Sequence, residues 1–438
     1  MSSERAGTWG LVALAVLARA AAVAVLGSPY VPRSTFEHGE IAAHLLRGEG
    51  FSVRFLGAKG PTSQQAPVYP VIVAACYAIG GVETPRSLWV LELAQAALGG
   101  VLVLGTMALA RSVAAGHRGV PFAAGFIVAV HPTLVYAATH VQVALLAATL
   151  LVWSLAMGYR AGAATGLRRD AVTAGLLLGL LVLTDPILGL TALGVAWAMA
   201  MGEAPGRWAR IALTMAVAAL VVAPWIARNY RVHGEIVFVK STFGYAFWQG
   251  NGALSEGTDK VARASVDRVL ADSVHGEGLA GVNRALWAAR HEAGYIDDIA
   301  LTKRDYEMLG RLSEPERSRV LFRRALADLR DDPMRYPRLC LRRLKWFVLF
   351  DETNPKARNL VYRAGHLGLT LAALAGLIVM PGWLRRRLGP TLLVAALITA
   401  FHALTIVSAR FHVPLGPLLA VWAACGLARL PSGSREGQ

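Results

Sequence analysis

Apolar positions in this chain fall into long runs separated by short polar breaks, and the first run extends from Thr8 to Gly27. A helix of about 20 apolar residues crosses a bilayer, so this run predicts a first membrane span. It is longer than the apolar stretch of a typical signal peptide, whose cleavage is the alternative reading. Further spans are expected at about 88–111, 120–138, 141–159, 171–184, 187–202, 208–226, 359–380, 389–409 and 412–429. The pair 171–184 and 187–202 is short for a bilayer, which would sink the turn Thr184-Asp185-Pro186 below the outer surface. Val68–Ile79 is shorter still and Pro70 interrupts its start, so it predicts an interfacial or re-entrant helix, or the bent beginning of the next span. The fold class that follows is an all-α polytopic membrane protein, a bundle of about ten transmembrane helices.

Between the spans the pattern changes character. Residues 28–87 form a first external loop, and 231–343 is the one soluble body of useful size, expected to be a small mixed domain. This body opens with a β-like alternation, Ile236-Val237-Phe238-Val239, followed by Gly250-Asn251-Gly252. Later, Ser313-Glu314-Pro315-Glu316 has the makings of a helix start: an N-cap serine, early acids and an early proline. Val320, Leu321, Ala325, Leu326 and Leu329 then recur at helical spacing. Flanked by Arg319, Arg323, Arg324 and Arg330, this helix either lies along the membrane surface or packs on the rest of its domain. The domain plan is thus 1–230 as a transmembrane module, 231–343 as the extracytoplasmic segment, 344–430 as C-terminal spans and 431–438 as a disordered tail.

Composition supports the membrane reading, with 55% hydrophobic and 16% charged residues and a mean hydropathy of +0.47. A net charge of +16 would point a soluble chain toward nucleic acid. Here the segment 231–343 holds about 19 basic and about 16 acidic residues, so most of the excess lies in the membrane part. It sits in short loops: Arg111/Arg118, Arg160/Arg168/Arg169, Arg207/Arg210, Arg385-Arg386-Arg387 and Arg429/Arg435. With the N-terminus inside, all of these fall on the cytoplasmic side, as the positive-inside rule requires, and anionic lipid is their natural partner. Cys76, Cys340 and Cys425 have neither metal nor redox spacing. There is no Walker A sequence and no GxGxxG opening a helix after a strand.

The same topology places several polar clusters outside. Glu37, Glu40 and His44 share one helical face at i, i+3, i+7, beside His38. Such a face is either a solvated surface or a set of ligands for a divalent metal. Pro224-Trp225-Ile226-Ala227-Arg228-Asn229-Tyr230 ends a span with an aromatic belt and an arginine at the water line. Ser408-Ala409-Arg410-Phe411-His412-Val413-Pro414 is a tight external turn. Both arginines are ordinary interfacial anchors or phosphate ligands, since a guanidinium fork matches phosphate oxygens. His140 and Gln142 occupy another external turn, and Asp185 the sunken one. An external carboxylate with two external arginines suits transfer from a lipid phosphate donor: the leaving phosphate needs fixed cations, and the acceptor needs a base.

Taken in order, Glu37-His38-Gly39-Glu40-Ile41-Ala42, Gly48-Glu49-Gly50-Phe51, Pro61-Thr62 and Ala66-Pro67-Val68-Tyr69-Pro70 make a recognisable series. It continues with Pro224-Trp225, Arg228-Asn229-Tyr230, Phe243-Gly244, Gly250-Asn251 and Ala409-Arg410-Phe411-His412-Val413-Pro414. The chain resembles the GT-C type integral-membrane glycosyltransferases, in the group of protein O-mannosyltransferases and aminoarabinose transferases. That resemblance implies a polyprenyl-phosphate sugar donor, transfer with inversion on the extracytoplasmic side, and a protein, lipid or glycan acceptor. It maps the catalytic base onto Glu37 and the donor-phosphate ligands onto Arg228 and Arg410. His38, Glu40, His44, Tyr69, His140, Gln142, Asp185, Trp225, Asn229, Tyr230, Asn251 and His412 are the substrate-pocket candidates. Many relatives carry Asp where Glu37 stands, and a second acid where this chain has His140 and Gln142.

Two other classes account for membrane arginines without chemistry at Glu37. One is a transporter or flippase of lipid-linked saccharides, the other an inactive scaffold subunit of an envelope-polysaccharide complex. The Ala-, Arg- and Gly-rich composition points to a bacterial plasma membrane, with both termini cytoplasmic.

Overall fold

The computed structural model describes residues 2–26, 35–55, 58–259, 303–354 and 359–426. The expected disordered tail lies outside them, as does the middle of the external segment. The transmembrane module starts with α1 (Ser2–Leu26), and the first external loop supplies α2 (Phe36–Leu46), β1 (Ser52–Phe55), β2 (Ala58–Pro61) and α3 (Val68–Gly80). There follow α4 (Pro85–Val113), α5 (Gly119–Val130), α6 (Pro132–Tyr136), α7 (Ala144–Gly162), α8 (Arg168–Val182), α9 (Thr191–Ala200) and α10 (Arg207–His233). The external segment contributes α11 (Phe243–Asn251), α12 (Lys303–Gly310), α13 (Glu314–Asp331) and α14 (Arg335–Val348). The chain closes with α15 (Leu360–Val379), α16 (Gly382–Arg387), α17 (Gly389–Leu404) and α18 (Gly416–Cys425).

This is an all-α polytopic membrane protein. Five described helices, α1, α4, α7, α10 and α15, are long and apolar enough to cross a membrane, and α5 with α6 forms a sixth candidate bent by 54°. The bend falls at Pro132, whose missing N–H leaves carbonyls of the preceding turn unpaired. Arg19 of α1 meets that need. Fully buried, it donates to the carbonyls of Val128 and Ala129 as well as to its own Ala15. α3 has 13 residues, a rise of roughly 20 Å against a hydrocarbon core of about 30 Å, and α17 and α18, expected as full spans, are likewise short apolar helices. α8 and α10 approach closely because Gly175 and Gly179 face Thr214, Val217 and Val221, where added Cβ atoms would overlap.

The basic turns gather at one end of the bundle. Arg160 pairs with Asp170 at 3.2 Å, Arg210 donates to the Ala161 carbonyl and Arg387 to that of Ser112. The first external loop and the external segment pack together elsewhere, around Ile41, Phe51, Val53, Phe247, Trp248, Leu309, Leu321 and Ala325. α13 begins as its sequence predicts, with Ser313 and Glu316 forming a reciprocal capping box. Its apolar face packs into this external core, so its apolar side is buried in its own domain.

The β expectation is corrected at one place. Residues 236–239 do alternate, Val237 and Val239 being buried while Ile236 and Phe238 are exposed. Yet they pair with no strand among the described residues. Side chains of α10 take their carbonyls instead: Asn229 donates to Val237 and Val239, and Trp225 to Val239. The sheet that does form is the two-stranded hairpin of β1 and β2, with Ser52 opposite Pro61 and Phe55 opposite Ala58.

Candidate functional site

The site begins with the seating of α2. Its first turn carries Glu37, directly after Phe36, which holds a left-handed backbone at φ 50. A bulky residue in that region is strained by about 1–3 kcal/mol, and such strain clusters at functional sites. Gly39 lets the helix approach its neighbours: a Cβ there would overlap Thr35 and come within 2.7 Å of the Tyr77 hydroxyl. Farther along, Glu40 accepts the Arg54 backbone N–H at 2.9 Å, and the His44 ring bonds the Ser52 carbonyl through Nδ1 at 2.8 Å. His44 Nε2 also lies 3.5 Å from Glu49. Glu40 and His44 therefore bind the hairpin to α2. Glu37 remains half-buried beside His38, whose ring meets Tyr69 edge-on with centroids 5.0 Å apart.

Charged groups from distant parts of the chain come within electrostatic reach of Lys240 here. The charges of Asp185, Arg410 and Glu37 all act on the ammonium of Lys240, which follows directly on the extended segment 236–239. Lys240 is partly buried, and its Nζ donates to Gln65 Oε1 at 3.0 Å. Desolvation pulls its pKa below the ordinary lysine value, Arg410 pulls the same way, and the two carboxylates oppose them. Asp185 turns one carboxylate oxygen to the Ile187 N–H at 3.2 Å. Arg410 is exposed and lies over the Phe411 ring, and no described residue hydrogen-bonds its guanidinium. Burial, reinforced by Lys240 and Arg410, pushes His38 down to about 3, so its imidazole is neutral at physiological pH.

Other sequence candidates are engaged in holding the frame. The guanidinium of Arg228 donates to the carbonyls of Thr62 and Phe51 and to the side chains of Ser63 and Asn229, while stacking on Trp225 and Phe51. In this arrangement its fork clamps the residue before β1 to the loop that follows β2. Asn229 is fully buried between Ser63 and the 237–239 carbonyls, and Trp225 is bonded to Val239. Tyr230 is exposed on the outside of α10. Asn251 is fully buried, tying α11 to the end of α17 through the Thr405 carbonyl and accepting from Arg343. Tyr69 donates to Gln95 and accepts from the Gln142 N–H, while Gln95 holds the carbonyls of Ala138 and His140. Tyr69 thus shapes the turn bearing His140 and Gln142 from beneath. The His140 ring bonds Thr139 and meets Tyr136 edge-on. His412 points inward, its ring 4.3 Å from that of His366.

Two residues that matter here escaped the sequence reading. Lys240 had a faint signal, a lone lysine closing an apolar stretch in an external loop. Glu314 read only as an early acid of α13. In the structure it is buried and accepts from Thr62, from the Ser63 N–H and from Ser241, with His233 at 3.7 Å.

The donor set fits a divalent metal poorly. Glu40 and His44 are turned to the hairpin, an ammonium stands among the remaining carboxylates, and no three His, Cys, Asp or Glu groups converge as ligands among the described residues.

Comparison with known proteins places the fold. No protein-family model and no curated protein matches the chain. Among solved structures, the archaeal oligosaccharyltransferase AglB from Archaeoglobus fulgidus, in complex with an inhibitory peptide and a dolichol-phosphate, aligns with a TM-score of 0.53 at 14% identity. The match covers 96% of this chain and 50% of that one, so this chain spans about half the length of that enzyme. ArnT from Cupriavidus metallidurans, bound to undecaprenyl phosphate, aligns with a TM-score of 0.43 at 15% identity, over 95% of this chain and 76% of that one. The architecture is the GT-C membrane fold.

Proposed function

We propose that this chain is an inverting membrane glycosyltransferase whose donor is a polyprenyl-phosphate-linked sugar. The observation that carries this reading is that Lys240, held by Gln65, stands within electrostatic reach of Glu37, Asp185 and Arg410, two carboxylates and a second cation from separate segments. The fold supports it, since a protein of the same architecture was solved with a dolichol-phosphate bound. In the reaction, an acceptor hydroxyl or amine attacks the anomeric carbon and its proton passes to Glu37. The bond between that carbon and the phosphate oxygen breaks from the opposite face, which inverts the configuration. The electron pair leaves with the phosphate on its lipid, and Lys240 and Arg410 stabilise the charge that develops there. Asp185 balances Lys240 before the donor arrives. No metal takes part in these steps. The site faces the extracytoplasmic side if the basic end of the bundle lies in the cytoplasm, as the positive-inside rule directs.

The test uses the purified full chain in lipid with polyprenyl-phosphate sugars and a panel of acceptors. Glu37→Gln abolishes transfer while polyprenyl-phosphate binding and folding are retained. Undiminished transfer by this variant would remove Glu37 as the base. Movement of the lipid-linked sugar across the bilayer without any transfer would favour a flippase.

A further inference from the structure

We propose that Glu314 is a positioning residue for Lys240, and that the external segment controls affinity for the carrier phosphate through it; this rests on the assignment of Lys240 to that phosphate. The argument is one of connectivity. Glu314 is buried at the start of α13, far in sequence from the first external loop. One of its oxygens accepts from the Thr62 hydroxyl. The other accepts from the Ser63 N–H at 2.8 Å and the Ser241 hydroxyl at 2.9 Å.

Those contacts flank Lys240 on both sides. Ser241 is its chain neighbour, and the Ser241 N–H donates to the Ser63 carbonyl at 2.9 Å. Gln65, two residues beyond Ser63, accepts from the Lys240 ammonium at 3.0 Å. A ring therefore closes from Glu314 through Ser63 and Gln65 to Lys240, and back through Ser241. A lysine stem has four rotatable bonds and loses considerable rotamer entropy when fixed. Holding both its backbone and its Nζ partner from one carboxylate removes that freedom before the phosphate binds. Glu314 itself has reason to stay in place. A buried carboxylate is costly unless fully bonded, and here three donors and the nearby His233 meet it.

A double-mutant cycle on the full chain in lipid nanodiscs tests the proposal, with polyprenyl phosphate as the titrated probe. Glu314→Gln turns an amide N–H₂ toward donors, and Ser241→Ala removes one bond while disturbing the fold least. Each is expected to weaken binding roughly 3- to 10-fold, the worth of a single net hydrogen bond. In a Lys240→Met background both effects should shrink to under about 2-fold, the spread expected when one change acts only through the other. Effects that persist undiminished in that background would overturn the proposal, showing that Glu314 merely holds the fold. Normal binding by both single variants would overturn it too. If Lys240→Met itself leaves binding unchanged, the phosphate assignment fails instead. Should Glu314→Gln not fold, Ser241→Ala carries the cycle alone.

Discussion

Replacing Lys240 by methionine keeps the length of the side chain and removes its charge, and two consequences follow. The first concerns the carrier phosphate. A hydrogen bond to a charged group contributes about 1.5–3 kcal/mol, so losing the ammonium should weaken polyprenyl-phosphate binding roughly 10- to 150-fold. Lys240 is partly buried, which places the expectation inside this range rather than at the surface-pair limit of about 1 kcal/mol. The second concerns the free site. In the wild type the ammonium feels the charges of Glu37 and Asp185, with Arg410 as the other cation. Without it, Glu37 as the base loses a favourable cationic neighbour, and the acidic limb of the rate profile moves to higher pH. Equilibrium titration with polyprenyl phosphate and a pH series of kcat/KM read the two effects separately. If binding falls by less than about 2-fold and the acidic limb stays in place, Lys240 is a structural lysine and the phosphate site must be sought elsewhere.

Other parts of the site make their own predictions. Glu37→Gln should reduce transfer by about 10²–10⁴-fold, the usual worth of a general base, with polyprenyl-phosphate affinity changed by less than about 3-fold. Gly39→Ala forces a methyl into Thr35 and toward Tyr77, so thermal unfolding should show a loss of about 1–3 kcal/mol, and kcat should fall as Glu37 shifts. His38 titrates near 3 in the fold and near 6.5 when unfolded, so between these values the unfolded chain binds more protons. Stability should therefore drop as pH falls below about 6.5, by up to about 1.4 kcal/mol per unit, and melting curves of His38→Gln should lose less between pH 7 and pH 4. Arg228→Met should lower the melting temperature by releasing the Thr62 and Phe51 carbonyls, and because the released loop carries Gln65, any loss of polyprenyl-phosphate binding should shrink in a Lys240→Met background.

Much of the fold can be read from the chain because membranes impose one-dimensional rules. Apolar length marks the long spans, and short basic loops mark one end of the bundle. In the structure that end draws together Arg160 with Asp170, Arg210 with Ala161 and Arg387 with Ser112. The short pair before and after Asp185 was legible for the same reason: α8 has 15 residues and α9 has 10. The hairpin of β1 and β2 was not, because its strands are four residues each and are held by α2 side chains rather than by a long alternation. The alternation at 236–239 misled for the converse reason. It reflects burial on one side of an extended chain, and burial alone does not supply a partner strand.

Arg228 and Arg410 show where reading along the chain stops. Each ends or follows an apolar run, each has aromatic neighbours, and neither has an adjacent acid, so by local pattern they are the same residue. Their difference is made by what folds back onto them. The loop after β2 brings the Thr62 carbonyl and the Ser63 hydroxyl to Arg228, and the residue before β1 brings the Phe51 carbonyl, so its fork is filled with neutral acceptors and it serves as a clamp. Arg410 meets no such loop among the described residues, and its charge is felt instead by Lys240 and His38. The loop that occupies Arg228 also carries Gln65, the acceptor of Lys240. The same loop therefore holds Arg228 through Thr62 and Ser63 and Lys240 through Gln65, a link to a lysine that no motif in the sequence marks.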